Sequence, residues 1–360
     1  MQTKFSTVVR KKTRPVKLGT VEVGGVSPIT VQSMTNTKTK DVQSTVKQIK
    51  SLEEAGCEII RVAVPDMESA MAISEIKKCI RIPLVADIQF DYKLAIRAVE
   101  HGADGLRINP GNIGDIKKIK EVVKTAKDFG APIRIGVNSG SLESDLLSKY
   151  GGPTPQALVE SAQRHIDILE GMSFYDIVVS IKSSDVYSTV KAYELISKET
   201  EYPLHLGITE AGTFFAGSIK SSVGLGILLY EGIGDTIRVS LTGDPLEEVR
   251  VGYEILKSLG LRKRGINLIS CPTCARTEID LVKIATEVEE KLKDIKPPLN
   301  IAVMRCVVNG PGEAKEADIG LAGGKNKAVI FKNGNIIKTV KEQDAVSELL
   351  DEVKKICDEQ

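Results

Sequence analysis

The chain has 360 residues, 42% of them hydrophobic, and its 49 Lys and Arg nearly balance its 48 Asp and Glu. This length allows a sizeable core and about two domains, while a net charge of +1 and 4% aromatic residues argue against nucleic-acid binding. No apolar stretch approaches the ~18 residues of a membrane span, and the basic N-terminus lacks the apolar region of a signal peptide. We therefore expect a cytoplasmic protein with no membrane partner, in which the six cysteines are metal ligands or buried thiols rather than disulfides.

The first two-thirds of the chain repeats one pattern: a short β-branched run, a polar turn and an amphipathic stretch. A hairpin-like segment, VKLGTVEVGG, comes first and is expected to close the floor of the sheet. The runs then occupy residues 29–35, 58–65, 82–89, 105–111, 132–138, 176–182, 204–210 and 236–242. Apolar strands alternating with helices indicate a parallel sheet covered by helices. Eight such units favour an α/β fold of the closed (β/α)8 TIM-barrel type, with an open doubly wound sheet as the alternative.

The pattern changes at a short basic link, residues 259–265. We therefore predict a barrel domain over residues 1–260 and a second, small α+β domain over residues 261–360. Its expected elements are a helix near 278–293, a strand at 299–308, a hairpin at 327–340 turning at Asn333-Gly334, and a final amphipathic helix. The glycines of LAGGK (321–325) are interpreted as a turn.

Three cysteines of the second domain form a pattern that is typical of a metal centre. Cys271 and Cys274 make a C-x-x-C, and Cys306 follows in a strand of the same domain. Thiolates bind zinc or iron–sulfur clusters, and C-x-x-C directs two sulfurs to one centre. The residues favour an iron–sulfur cluster. A zinc site, a thiol redox pair and buried structural cysteines remain alternatives.

The fourth ligand of such a centre is not a nearby histidine, because all three histidines lie in the barrel region. Cys57 and Cys79 also lie there and are interpreted as core thiols. Only Cys357 is available locally as sulfur, whereas Glu313 in the loop NGPGEA offers a carboxylate. The fourth position can thus be filled by an oxygen residue, by solvent or by substrate.

Charged and polar residues stand within or just after the apolar runs of the barrel region. The basic ones are Arg61, Arg107, Arg134, Lys182 and Arg238, and Asp87, Asn109, Asn138, His205 and Glu210 hold comparable positions. Function in a (β/α)8 barrel lies at the C-terminal ends of the strands, and an unpaired charge among Val and Ile is costly. We expect the basic side chains to converge on an anion, most naturally a diphosphate. The alternative is pairing with carboxylates in the barrel wall.

The segments VQSMTNT, ADIQF, LRINPGN, SCPTCART and CVVNGPGEA resemble the bacterial 4-hydroxy-3-methylbut-2-enyl diphosphate synthase family, and the resemblance runs through both domains. It implies a [4Fe–4S] cluster held by Cys271, Cys274, Cys306 and Glu313. It further implies reductive ring opening and dehydration of 2-C-methyl-D-erythritol 2,4-cyclodiphosphate, with two electrons from ferredoxin or flavodoxin, on the methylerythritol phosphate route to isoprenoids. The family is a head-to-tail homodimer, in which the cluster domain of one chain covers the barrel of the other.

Matching motifs assign roles to individual residues of this chain. Those expected to hold the substrate are Arg61, Arg107, Arg134, Asn138, Lys182, His205, Arg238 and Asn309. Glu210 is expected to be the acid, with Asp87 nearby, although His205 is equally compatible with a core histidine. One departure is Arg305, directly before Cys306, where the family usually has Gly.

Two other functions compete with this interpretation. A pterin-binding-type barrel transferase would share the basic, phosphate-holding mouth but would leave the three cysteines without a role. A non-enzymatic electron carrier or zinc-stabilised scaffold would leave the basic residues on five strands unexplained.

Overall fold

The computed structural model describes residues 8–273, 279–306, 312, 314–325 and 327–359. Tertiary contacts divide the chain into two compact units after Arg262, whereas the sequence places the domain boundary after residue 260. Within these ranges no helix is both long and apolar enough to cross a membrane.

The first unit begins with an antiparallel hairpin, β1 (Val16–Leu18) and β2 (Val21–Val23), followed by eight parallel strands. The strands are β3 (Thr30–Met34), β4 (Ile59–Ala63), β5 (Leu84–Asp87), β6 (Gly105–Ile108), β7 (Ile133–Asn138), β8 (Ile177–Lys182), β9 (His205–Leu206) and β10 (Thr236–Ile237). The helices are α1 (Val42–Ala55), α2 (Met67–Cys79), α3 (Tyr92–Glu100), α4 (Pro110–Ile113), α5 (Ile116–Phe129), α6 (Ser144–Tyr150), α7 (Pro155–Glu170), α8 (Val186–Glu199), α9 (Phe214–Tyr230) and α10 (Pro245–Ser258).

The eight parallel strands close into a barrel. Their order is β8-β7-β6-β5-β4-β3-β10-β9, and a parallel bridge between Val179 and Leu204 joins the two ends. The backbone N–H of Val179 also donates to the carbonyl of Pro203 at 2.8 Å. The predicted TIM-type barrel is therefore confirmed, and the open doubly wound sheet is excluded.

Aspartates mark where many barrel helices begin. The side chains of Asp41, Asp66, Asp91, Asp115, Asp185 and Asp244 each accept a backbone N–H in the first turn of the helix that follows. Such an N-cap stabilises a helix by about 1 kcal/mol. Five of these helices directly follow a barrel strand, so their capped N-termini lie at the C-terminal face of the barrel.

The hairpin closes the opposite end of the barrel. Leu18 and Val23 pack against Ile59 and Val85, which lie at the start of β4 and β5. Gly105 makes this packing possible, because a Cβ there would lie 2.4 Å from Cδ1 of Leu18. The interior of the barrel is therefore sealed at its floor and opens toward the C-terminal ends of the strands.

The second unit is a five-stranded sheet with two long helices. Its elements are β11 (Ile266–Ser270), α11 (Leu281–Leu292), β12 (Leu299–Met304), β13 (Ile319–Gly324), β14 (Lys327–Lys332), β15 (Asn335–Lys341) and α12 (Ala345–Asp358). The strands lie in chain order; β11, β12 and β13 are parallel, and β14 and β15 continue antiparallel. Apolar residues of α11 and α12 form one core with this sheet.

Three predictions about local structure are wrong. The strand predicted over residues 299–308 ends at Met304, so Cys306 lies beyond it. The LAGGK glycines do not form a turn, because β13 runs through them. Cβ atoms at Gly320 and Gly323 would lie 2.3 Å from the Phe331 ring and 2.3 Å from Ile279, so these glycines make room for bulky neighbours. Cys79 is exposed rather than a core thiol, since it ends α2 on the surface.

Replacing Gly105 with Ala should destabilise the barrel unit by about 1–3 kcal/mol, because the new methyl group overpacks the floor against Leu18. The free energy of unfolding in urea measures this loss. Gly140→Ala is the matched control, since a Cβ at Gly140 meets nothing within 4 Å. Equal stabilities of the two variants would contradict this account of the floor.

Candidate active site

Inward-facing side chains of the barrel form layers of four that come from alternate strands, as the strand register requires. The layer nearest the floor contains Ile59, Gly105, Val178 and Thr236. The second layer contains Gln32, Val85, Arg134 and His205. The third layer contains Arg61, Arg107, Ser180 and Arg238. Cations and polar groups thus fill positions that Val, Ile and Leu usually occupy in such barrels.

The five basic residues predicted from the sequence come together inside the barrel. We call this set the cationic ring; it comprises Arg61, Arg107, Arg134, Lys182 and Arg238. Electrostatic coupling links its members, because Arg61, Arg107, Arg134 and Arg238 all lower the pKa of Lys182. Among the described residues, two carboxylates lie against the ring: Asp87 and Glu248. Five cations against two anions leave a net positive interior.

Asp87 bridges two of the arginines. Its carboxylate accepts a hydrogen bond from Nη1 of Arg107 at 3.4 Å and lies 3.8 Å from Nε of Arg61. Burial alone would raise the pKa of Asp87, but Arg61, Arg107 and Arg134 outweigh it and lower that pKa. Asp87 is therefore an ionised carboxylate that lies against the cationic ring and partly offsets its charge.

Neutral acceptors of strand β3 hold Arg134 and also contact Arg61. Nη1 of Arg134 donates to the side-chain oxygen of Gln32 at 2.6 Å. Nε and Nη2 of Arg61 lie 3.0 and 2.9 Å from Sδ of Met34. These partners orient the guanidinium groups without neutralising their charge.

Keeping the cationic ring charged inside the barrel costs free energy. Burial, the largest cause, and the other cations lower the pKa of Lys182 well below its ordinary value. The same causes lower the pKa of Arg134 well below its ordinary value. Burial likewise lowers the pKa of Arg61, to about 9, despite the opposing effect of Asp87. An anion bound in the barrel would supply the missing negative charge and relieve this cost.

His205 lies fully buried in the second layer, with neither ring nitrogen hydrogen-bonded to a described residue. Burial and the neighbouring cations lower the pKa of His205 well below its ordinary value, so the imidazole is neutral. A buried polar group without a partner is rare and costly. This arrangement favours a bound polar ligand over the alternative of a satisfied core histidine.

Two glycines provide the space that the ring needs. A Cβ at Gly136 would lie 2.2 Å from Nε of Arg107, and one at Gly207 would lie 2.9 Å from Nζ of Lys182. Both glycines occupy inward positions in the layer above Arg61, Arg107 and Arg238. Any larger residue there would push the cations out of place.

Two predicted residues lie at the mouth. The side-chain amide of Asn138, which ends β7, accepts a hydrogen bond from Nη2 of Arg107 at 3.1 Å in its satisfied orientation. Glu210 is exposed on the loop after β9, four residues beyond its end, and has a φ of +52°. Non-glycine residues rarely adopt this conformation, and it concentrates at functional sites.

Cysteines of the second unit follow neighbouring strands. Cys271 comes directly after β11 and Cys306 two residues after β12, and these strands pair in parallel. Both thiols are partly exposed. The side chains of Cys274, Asn309 and Glu313 lie outside the described residues, so the predicted ligand set is seen in part. Within the described ranges, no three metal-binding side chains come together.

Sequence reasoning missed three residues that hold the ring. Gln32 and Met34 alternate along β3, and this period of two marks them as inward-facing. That signal was available. No sequence signal marks Glu248, because it is an ordinary polar residue in the first turn of α10.

Comparisons with known proteins match both units of the chain. The sequence matches the family description "GcpE TIM-barrel domain" over residues 13–253 and "GcpE protein C-terminal domain" over residues 267–355. A 4-hydroxy-3-methylbut-2-en-1-yl diphosphate synthase (flavodoxin) of Caldanaerobacter subterraneus subsp. tengcongensis is 62% identical over 352 residues, which cover 98% of this chain and 99% of the relative. Its namesake from Clostridium perfringens is 62% identical over 341 residues, covering 95% and 98%.

Solved structures share the barrel at low identity. A type I 3-dehydroquinate dehydratase from Clostridium difficile superposes with a TM-score of 0.51 at 14% identity, covering 69% of this chain and 98% of the other. Dihydropteroate synthase from Stenotrophomonas maltophilia gives 0.50 at 12% identity, covering 69% and 97%. Such identities show the fold alone.

Binding of inorganic pyrophosphate to the barrel should take up protons. The anion stabilises the charged form of Lys182 and so raises its lowered pKa; binding should therefore weaken as pH rises through that lowered pKa. Calorimetry in buffers of different ionisation enthalpy measures the uptake. Lys182→Gln should reduce it, and Lys198→Gln, on the exposed side of α8, should not. Wild-type binding without proton uptake would contradict the prediction.

Proposed function

The chain belongs to the GcpE family, and from this premise we propose that it converts 2-C-methyl-D-erythritol 2,4-cyclodiphosphate to 4-hydroxy-3-methylbut-2-en-1-yl diphosphate. The names of its relatives support the product. The observation that carries the proposal is the net positive barrel interior, which requires an anion. A cyclic diphosphate supplies two phosphoryl groups for five cations.

The cationic ring binds the two phosphoryl groups. Arginine presents a planar fork of donors to phosphate oxygens, and lysine adds a compact charge. His205 offers one N–H in its neutral form, and Asn138 fixes Arg107 from the mouth side. The sealed floor directs the anion to enter through the mouth, and this orients the carbon skeleton toward the strand ends.

The reaction takes up two electrons and a proton. One carbon–oxygen bond to phosphate breaks and frees a phosphate oxygen, a carbon–carbon double bond forms, and the hydroxyl group leaves as water. We assign the proton to Glu210, whose constrained backbone places an exposed carboxyl at the mouth. Asp87, which the arginines hold ionised, assists the reaction by positioning Arg61 and Arg107.

A [4Fe–4S] cluster fits the cysteines of the second unit. Cys271 and Cys306 follow paired parallel strands and are partly exposed, and thiolates are the usual ligands of such clusters. Cys274 and Glu313 complete the proposed ligand set, with Asn309 beside it. When bound, the cluster supplies the electrons of the reduction one at a time.

Flavodoxin is the proposed electron donor, because the relatives carry it in their names; ferredoxin is the alternative. We place the protein in the cytoplasm, where thiols stay reduced.

We further propose a head-to-tail homodimer. Helix α9 carries one charged residue, Lys220, in 17 positions. Its outer face exposes an apolar stripe at helical spacing: Phe215, Ile219, Val223, Ile227 and Tyr230. A helix that is apolar all round is normally covered, and contiguous exposed apolar patches can mark protein interfaces. At the mouth, Phe90, Tyr187 and Phe214 are also exposed, which suits a covering domain from a second chain.

Anaerobic purification followed by iron and sulfide analysis tests the cofactor, and turnover of the cyclodiphosphate with reduced viologen tests the activity. We expect about four irons and four sulfides per chain and consumption of the substrate. A colourless protein with stoichiometric zinc would reject the cluster. Cluster-replete protein that leaves the cyclodiphosphate intact would reject the activity.

Glu313→Ala should impair cluster retention or activity, because it removes the proposed fourth ligand. Cys357→Ala should leave both intact, since Cys357 lies on α12 and has no assigned role. Cluster content by absorbance and viologen-driven turnover measure the two effects. An equal loss in both variants would mean that Glu313 is not the ligand.

Val223→Glu should convert the dimer to a monomer, because it places a charge at the centre of the α9 stripe. Sedimentation velocity measures the assembly, and circular dichroism checks the fold. The matched control is Phe129→Glu, which changes an exposed aromatic on α5 and should stay dimeric. A dimeric Val223→Glu protein would exclude α9 from the interface.

A further inference from the structure

We infer that Glu248, on the outer helix α10, is a positioning residue that aims Arg238 at the anion in the barrel. The inference rests on the proposed anion site and adds a residue that lies outside the ring of barrel strands. Its side chain is 5% exposed, and burying a carboxylate is costly unless it is paired. The contacts of Glu248 explain why it is tolerated there.

The carboxylate of Glu248 joins three elements of the barrel. Oε2 accepts a hydrogen bond from Oγ of Ser33 at 3.2 Å and lies 3.7 Å from Nε of Arg238. Oε1 accepts from the backbone N–H of Leu241 at 3.0 Å. One side chain therefore connects strand β3, the arginine that follows β10 and the loop that leads into α10.

Arg238 depends on this carboxylate for its orientation. Its Nε is buried and has no hydrogen-bond partner among the described residues, so the nearby charge of Glu248 is what faces that edge of the guanidinium. Asp87, the other carboxylate of the ring, is shared by Arg61 and Arg107. With its Nε edge turned toward Glu248, Arg238 presents its two terminal nitrogens to a ligand.

The bond to Leu241 fixes the backbone as well. Residues 238–244 form the connection between β10 and α10, and Glu248 accepts from the middle of it. Arg238 is thus held both through its side chain and through the loop that carries it. This double restraint distinguishes Glu248 from a surface ion-pair partner.

Removal of the Glu248 charge changes the affinity for the anion in opposite directions under the two roles that Glu248 can have. If Glu248 merely offsets positive charge, its loss makes the interior more positive and tightens anion binding. If it positions Arg238, its loss misaligns a phosphate donor and weakens binding. The direction of the change in the dissociation constant therefore separates the two roles.

The test measures the dissociation constant of inorganic pyrophosphate on the cluster-containing full chain by calorimetry. Arg238→Gln should weaken binding roughly 10–100-fold, the size of a charge-assisted contact. Glu248→Gln should weaken it about 5-fold, and in the Arg238→Gln background it should change binding less than about 2-fold, because the two residues act as one. In turnover, Glu248→Gln should raise KM and leave kcat within about 2-fold.

Glu248→Asp provides a second variant, since it keeps the charge and withdraws the carboxylate by one methylene group. If Glu248 positions Arg238, this variant should bind pyrophosphate more weakly. If Glu248 only balances charge, the dissociation constant should not change. Glu247→Gln is the matched control, because Glu247 is its half-buried neighbour on α10 and pairs with Arg250 at 2.6 Å. Unchanged or tighter binding by folded Glu248 variants would overturn the inference, as would an equal effect in both Arg238 backgrounds. Wild-type protein that binds no pyrophosphate would overturn the anion site itself, an outcome distinct from failure of Glu248 alone.

Discussion

Burial of uncompensated positive charge inside a closed barrel is the constraint on which the rest of the first unit depends. Barrel interiors are normally filled by branched apolar side chains, yet here the second and third layers hold arginines. Their charge is tolerable only where neighbouring atoms accept hydrogen bonds, and Gln32, Met34 and Asp87 do so. The remaining excess of positive charge suits the interior to the proposed anion, because a ligand with phosphoryl groups would balance that charge.

Several features of the fold that are remote from one another serve this constraint. The hairpin seals the floor, so the cations have one direction in which to meet solvent and ligand. Gly136 and Gly207 give up side chains so that Arg107 and Lys182 have room. A helix outside the barrel contributes Glu248 through the wall. The two glycines cost conformational entropy and apolar packing, and binding of an anion by the cations would offset this cost.

Both units place their reactive residues by the same rule. Parallel strands bring their carboxyl ends to one edge, so side chains that follow different strands meet there. In the barrel this edge carries Asn138 and Glu210; in the second unit it carries Cys271 and Cys306. The proposed chemistry divides accordingly, because a closed barrel suits anion binding, whereas strand-end loops give thiolates the freedom to surround a cluster.

Local patterns in the sequence were sufficient to predict the eight strand–helix units, the hairpins and the basic residues of the strands. They succeed because strand alternation and helix capping each act over a few residues. They failed at LAGGK, where Phe331 and Ile279 decide the role of the glycines. Only the tertiary structure decided which cations share a layer and which of them lie against a carboxylate. It also decided that Glu248, from an outer helix, contacts Arg238. Ser33 and Glu248 are 215 positions apart, and Gln32 and Arg134 are 102 apart. Such contacts follow from barrel register and helix packing, which no local pattern encodes.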